Sequence, residues 1–224
     1  PMSRQEEIER ALSAPCIADN SLLSNFVKAG AADLLHALLE SPVHLSPTVL
    51  DPYEASQSRP WSELQPTSEL LKDWESTPWI SRFACKQNEL WLPVELQNTE
   101  LTQANYFGSR AVRDDVRARF PTLERGRVQL DAGEAEAAAI AINRKWTLLV
   151  DDQAAVNLLR HLHPDIPTIR TGELLVYAAQ IEEISCSEAA ELFNTVIVGK
   201  LGFYAHRGGK TLRLCCDPPR CEWQ

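Results

Sequence analysis

The chain has 224 residues and a mass of 25.1 kDa, with 44% hydrophobic and 24% charged residues, a composition that excludes wholesale disorder. Its formal charge is −9, which excludes a purely electrostatic, non-specific duplex binder; any nucleic-acid contact must be local. No apolar run approaches the ~18 residues needed to span a bilayer.

Met2 is the only methionine, so it is the expected start of translation, with Pro1 left ahead of it by expression. The segment Gln5-Glu6-Glu7-Ile8-Glu9-Arg10 is too acidic and polar for a signal peptide. Cys16, Cys85, Cys186, Cys215, Cys216 and Cys221 are scattered rather than framed, and a chain of this size builds a core without staples. The expectation is a reduced, cytoplasmic protein.

Ser3 and Glu6 have capping-box spacing, which predicts a helix over about residues 4–13 that Pro15 stops. Cys16-Ile17-Ala18 is a short apolar run ending at Asp19, the pattern of a buried strand that delivers an acid at its tip. Leu22, Leu23, Phe26 and Val27 recur at helical spacing up to Gly30, and Leu34, Leu35, Leu38 and Leu39 form the face of a second helix over 31–40. Val43-His44-Leu45 reads as a strand, followed by Ser46-Pro47 in the preferred places for a cap and first turn. Strand, helices, strand, helix is the order of an α/β sheet.

From Ala55 to about Asn98 the pattern breaks down, punctuated by Pro60, Pro66, Pro78 and Pro93 and holding four of the six tryptophans: Trp61, Trp74, Trp79 and Trp91. It reads as an insertion with one helix near 68–75, packed on one side of the main body. A long helix is predicted from about Glu100 to Arg119, with Arg110, Arg113, Arg117 and Arg119 on its polar face. After Val128-Gln129-Leu130, Asp131 and Glu134 have capping-box spacing for a helix of small residues through Ile142. Trp146–Val150 is a buried strand ending in Asp151-Asp152. A helix over 153–162 leads to Ile166-Pro167-Thr168-Ile169, then to Thr171 as the cap of another helix, and Ser187 starts the last.

The acids fall in equivalent places. Asp19 and Asp151 follow apolar strands directly, so in a parallel sheet both lie at the carboxyl edge, where ligand sites of open α/β sheets form. Glu54 stands a turn or two beyond the Val43–Leu45 strand on the same edge, and Glu134 and Glu136 occupy the first turn of their helix. Like charges gathered this way raise one another's pKa, and a hard divalent cation with oxygen ligands removes that cost. Each acid also has a plainer reading. In it Asp19 simply caps the next helix, Glu134 completes a box with Asp131, Asp151 and Asp152 serve as turn residues, and Glu54 lies on a solvated helix face.

The stretch Ile17-Ala18-Asp19-Asn20-Ser21-Leu22-Leu23-Ser24-Asn25-Phe26 resembles the opening of a PIN domain. Val43–Leu50 with Glu54 is similar to that family's second block, Gly133–Ala141 to its third, and Leu148-Leu149-Val150-Asp151-Asp152 to its fourth. Thr171–Leu175 and Lys200–Tyr204 are similar to the tail of a bacterial and archaeal subgroup. The resemblance covers about 17–54 and 128–204, with Pro52 a departure just before Glu54. It implies one domain over 1–224: an α/β/α sandwich on a mainly parallel sheet, with core segments 15–54 and 127–204, an insertion at 55–126 and a basic, Cys-rich tail at 205–224.

By the same resemblance the chain is a metal-dependent endoribonuclease holding Mg²⁺ or Mn²⁺ between carboxylates. Asp19, Glu54, Glu134, Glu136 and Asp151 are the catalytic candidates, and Asp19, Glu54, Glu136, Asp151 and Asp152 the metal candidates. Asn20 and Ser21 are placed to orient a water or a phosphate oxygen. The implied partners are an RNA substrate, an antitoxin protein of a toxin–antitoxin pair and a second copy in a homodimer, with no membrane.

RNA binding requires positive charge. Between Phe107 and Val128 six arginines, Arg110 and Arg113 among them, face three acids; from Lys200 onward five cations face two acids. These are the candidate RNA rims, against the plainer reading of a solvated helix face and a charged tail. Cys215, Cys216 and Cys221 with His206 lack the two-residue separation of a zinc knuckle. Gly-x-Ser-x-Gly, phosphate-cradling glycine and His-Glu-x-x-His motifs are missing, which disfavours serine hydrolases, P-loop NTPases and zincins. Two rivals remain: a PIN-like module that has lost catalysis and binds protein partners, favoured by the tryptophans, and a receiver-like phosphoacceptor, disfavoured by the missing late strand-end lysine.

Overall fold

The computed structural model describes residues 3–50, 74–99 and 130–200, and the backbone of four short strands between 206 and 223. Glu54, Arg110, Arg113 and the helix predicted over 100–119 lie outside the described residues. So does the helix expected near 68–75, apart from a 3₁₀ turn at Trp74–Ser76.

The described elements run α1 (Arg4–Leu12), β1 (Cys16–Ala18), α2 (Asn20–Lys28), α3 (Ala32–Ala37), β2 (Val43–Leu45) and α4 (Pro47–Leu50). They continue with β3 (Ile80–Arg82), α5 (Trp91–Gln97), α6 (Ala132–Arg144), β4 (Thr147–Leu149), α7 (Gln153–Leu162), β5 (Thr168–Ile169), α8 (Thr171–Gln180) and α9 (Cys186–Glu191). A π-helical stretch, Leu192–Lys200, prolongs α9. Local chemistry explains most boundaries. Ser3 and Glu6 close a capping box on α1, and Asp131 and Glu134 close one on α6. Gly30 follows α2 with φ +72°, a left-handed conformation that costs glycine least.

β1 to β5 form one all-parallel sheet in the order β3-β2-β1-β4-β5. Side chains alternate across it with the two-residue period of a strand. Cys16, Ala18 and Leu149 join one buried cluster with residues of α1, α2, α3, α8 and α9. Ile17, Leu148 and Val150 join a second with residues of α5, α6 and α7. Two cores on opposite faces make an α/β protein consistent with an α/β/α sandwich. In α6, Ala135, Ala137, Ala138, Ala139 and Ala141 are all fully buried. A larger side chain there has no room, so Ala138→Leu should destabilise the fold by about 1–3 kcal/mol. A lowered urea midpoint at unchanged m-value would show it, and an unchanged midpoint would contradict the close packing.

Three expectations need correction. The segment after Ala55 is more than an elaboration, because Ile80–Arg82 pairs with Val43–Leu45 as the sheet's edge strand. It is fastened by side chains the sequence does not bring together. Trp146 stacks on His44 at 4.4 Å and meets Phe83 edge-on at 4.6 Å, while Arg144 forks onto Glu89 with two 2.7 Å contacts. Thr171 is the first residue of α8 and not its cap; its hydroxyl donates to Asp151 instead. The last helix is capped by Ser185, in a box with Glu188, rather than started by Ser187. Near the C-terminus two antiparallel strand pairs form, one of which sets Cys216 opposite Cys221 in register.

Candidate functional site

In this strand order the chain builds outward from β1 through β2 to β3, then crosses to the other side of β1 for β4 and β5. The reversal between β1 and β4 is a topological switch point. The loops leaving the carboxyl ends of those two strands diverge there and open a crevice. Asp19 and Asp151 both stand at that edge, as their positions after apolar strands predicted. The Asp19 N–H donates to the Leu149 carbonyl at 2.9 Å, which ties the tip of β1 to that of β4.

Asp19 is buried, and it does cap α2: its carboxylate accepts from the Ser21 N–H at 2.9 Å and from the Ser21 hydroxyl at 2.5 Å. Burial pushes its pKa up to about 6 against those bonds, with the Asp131 charge adding to the rise. Glu134 is likewise buried and accepts from the Asp131 N–H at 3.0 Å within its capping box. Its pKa is pushed up to about 9, first by burial and then by the charges of Asp19, Asp152 and Asp131. Asp19 and Glu134 therefore form a close buried acid pair whose titrations belong to the pair.

The members of each doublet face different ways. Asp152 caps α7 through the N–H groups of Ala154 and Ala155 and bears electrostatically on Glu134. Asp151 is buried in donors: Asn25 Nδ2 at 2.8 Å, the Thr171 N–H at 2.9 Å and the Thr171 hydroxyl. Burial raises its pKa, while Thr171, the Arg170 charge and Asn25 hold it down. It locks β4, α2 and α8 together. Glu136, two residues along α6 from Glu134, accepts from the Thr48 N–H at 3.0 Å and so fastens α6 to the start of α4.

Glu134→Gln should consequently abolish the acid pair, while Glu136→Gln keeps an oxygen for Thr48 and should be mild. Any divalent-cation affinity measured by calorimetry should fall at least tenfold in the first and less than threefold in the second. Equal losses would contradict this division.

The edge offers further oxygen. Asn20 Oδ1, next to Asp19, is buried without a hydrogen-bond partner. Among the described residues, no three His, Cys, Asp or Glu side chains are grouped closely enough to hold a metal as they stand. Mg²⁺, however, is commonly held by one or two carboxylates with waters and substrate phosphates completing its shell. The donor set here, two paired carboxylates, the nearby Asp152 and an unpartnered amide oxygen, suits a hard cation rather than zinc or copper.

Among the described residues, one cation of this edge was not anticipated from the sequence. Arg170 follows β5 as Asp19 follows β1. Its guanidinium donates to the Asp151 carbonyl at 2.8 Å and to Gln153 Oε1 at 2.9 Å. The same strand-end pattern that exposed the acids could have found it.

A cleft of about 530 Å³ opens at the opposite, amino edge, between α1 and the starts of β4 and β5. Arg4 there is held by Glu7 and Glu173, and Lys145 by Asp165. It gathers none of the candidate acids.

No family model matches this chain, and no curated protein sequence matches it. Among the described residues no helix is long and apolar enough to cross a membrane.

Proposed function

We propose that this protein is a PIN-like, Mg²⁺- or Mn²⁺-dependent endoribonuclease acting at the carboxyl edge of its sheet. The observation that carries the reading is the Asp19–Glu134 pair: two buried carboxyls at the switch point, where burial raises the pKa of both and the Asp19 charge raises that of Glu134 further. A fold gains nothing from burying such a pair uncompensated, and a divalent cation between them turns the repulsion into ligation.

Asp19 and Glu134 would hold the cation, with Asp152 and the Asn20 oxygen beside them, and Glu54 is the further acid that the family resemblance implies. Bound there, the cation supplies a water activated near neutral pH and positive charge opposite the leaving oxygen. The chain's own groups do the positioning. Ser21 fixes the Asp19 carboxylate through its N–H and hydroxyl, and Asp151 holds α8 and α2 at a set angle to β4. A single-stranded RNA assay with Mn²⁺ and with EDTA tests the reading: cleavage should require the metal, and cleavage that persists unchanged in EDTA would refute it.

One observation favours a second reading, a protein-binding module without catalysis. Leu90, Trp91 and Val94 are 47%, 60% and 59% exposed at the start of α5, an apolar face of the kind that anchors partners. An antitoxin or a second copy would suit such a face under either reading. Binding of a partner with no metal-dependent cleavage would favour this alternative.

A further inference from the structure

Strand pleating sorts the acids of the carboxyl edge by face. Ile17 and Val150 both belong to the core shared with α6, so Asp19 and Asp152, each two residues further on, fall on that side. The backbone at Asp152 is still extended, with φ −65° and ψ 130°, which carries the alternation past the strand. Asp151, two residues after Leu149, falls on the opposite side, where it locks α2 and α8. Asp152 is thereby the acid of its doublet that shares a face with Glu134, on which its charge bears. Its Oδ1 caps α7 by accepting from the Ala154 N–H at 2.5 Å and the Ala155 N–H at 3.4 Å. Its Oδ2 accepts no hydrogen bond among the described residues.

Arg170 grips the chain on either side of this residue. Its guanidinium donates to the Asp151 carbonyl at 2.8 Å and to Gln153 Oε1 at 2.9 Å, so the two acceptors bracket Asp152 in sequence. The arginine's own backbone is anchored. Its N–H donates to Glu173 at 3.0 Å, and the next residue, Thr171, donates its N–H to Asp151 at 2.9 Å. Glu173 is in turn held by Arg4 at 2.7 Å. A planar fork of donors on a fixed backbone is a rigid clamp, which the compact ammonium of a lysine does not reproduce. A guanidinium beside a cation site also repels the cation, so whatever Arg170 gives the metal it gives through geometry.

We infer that Arg170 is a positioning residue of the candidate cation site: by clamping Asp151 and Gln153 it holds Asp152 on the face of Glu134. There the second oxygen of Asp152 meets the cation through one of the waters that a small dication retains. This inference rests on the metal-dependent nuclease reading and extends it to a third acid and the group that sets it.

Calorimetric titration of Mn²⁺ into the full chain tests it, with Arg170→Gln, Arg170→Lys, Asp152→Asn and the double variant Arg170→Gln with Asp152→Asn. Asparagine at 152 keeps a cap for α7. Arg170→Gln should weaken Mn²⁺ binding roughly tenfold, the scale for an outer partner that orients a ligand, although it removes a repelling charge. Arg170→Lys should weaken it at least as much, because the repulsion stays and the fork is lost. In the Asp152→Asn background, Arg170→Gln should change the affinity by less than about twofold, since the residue it positions is already disabled. Gln153→Leu removes one acceptor of the clamp and leaves Arg170 in place. It should weaken binding by more than about twofold in the parent and not in Asp152→Asn, and it decides the matter if thermal melts show Arg170→Gln unfolded.

A parent that binds Mn²⁺ while Arg170→Gln binds it as tightly or more tightly would overturn this inference and leave the nuclease reading standing. A raised KM for RNA at unchanged Mn²⁺ affinity would do the same, and would make Arg170 a substrate contact. Equal losses with and without the Asp152 carboxylate would also overturn it, because a merely structural role gives that result. A parent that binds no Mn²⁺ would overturn the metal-dependent reading, and this inference with it.

Discussion

Asp19→Asn should lower Mn²⁺-dependent RNA cleavage by orders of magnitude, on the scale of ~3 kcal/mol or more of lost transition-state stabilisation. The asparagine keeps the size of the side chain and an oxygen for the Ser21 N–H, so the cap of α2 survives. It removes one negative charge from a pair that needs both to hold a dication. Stability without metal should be unchanged or slightly higher, because the charge that raises the pKa of Glu134 has gone. Single-turnover rates at saturating Mn²⁺ beside thermal melts separate the two effects. If Asp19→Asn cleaves RNA at the parent rate, the site does not lie at the Asp19–Glu134 pair and the assignment of the reaction to this edge is wrong.

Metal-free protein should lose thermal stability as the pH rises from 7 to 9, and a saturating divalent cation should abolish most of that loss. Glu134 has a folded-state pKa of about 9, above its ordinary 4.5, so the folded chain binds more protons than the unfolded chain between those values. Stability is then complete on the acid side and disappears as the pH climbs through the folded pKa. Asp19, raised to about 6, contributes the same sign at lower pH. There His44, lowered by burial, opposes it, so the window above pH 7 gives the cleaner reading. With ~2–4 °C per kcal/mol expected for a domain of this size, the fall should be about 5 °C or more. Glu134→Gln should flatten the profile. A Tm that rises from pH 7 to 9 in EDTA would show that the buried pair does not exist.

Local rules made much of the fold legible in the residues. The strands Cys16–Ala18 and Val43–Leu45 are apolar runs between polar signals, and α1 and α6 open on capping boxes whose two partners lie three residues apart. Asp19 and Asp151 were readable as neighbours for the same reason: in a parallel sheet every strand ends on one edge, so an acid after each strand must share it. Other features rest on partners far apart in the chain. Ile80–Arg82 has no clear strand pattern of its own and becomes one through its ladder to Val43–Leu45 and the Trp146–His44–Phe83 cluster. Thr171 looks like a cap because threonine so often is one, but Asp151, 20 residues earlier, claims its hydroxyl.

The doublets mark the division most sharply. By itself the sequence determined that the carboxyl edge would carry Asp19 from β1 and an acid after β4, since strand direction and the two-residue period need only local information. It could not say which acid of each doublet would meet Asp19. That choice depends on the rotation of α6 and on how closely α8 approaches β4, and the fold settles both by packing the alanine face of α6 and by seating Thr171 and Asn25 against Asp151. The result buries Glu134 beside Asp19 and sends Glu136 to Thr48. It spends Asp151 on holding three elements together, leaving Asp152 on the side of the acid pair. Burial and electrostatic coupling are properties of the assembled fold, and they separate a carboxylate that only caps a helix from one buried against a second acid.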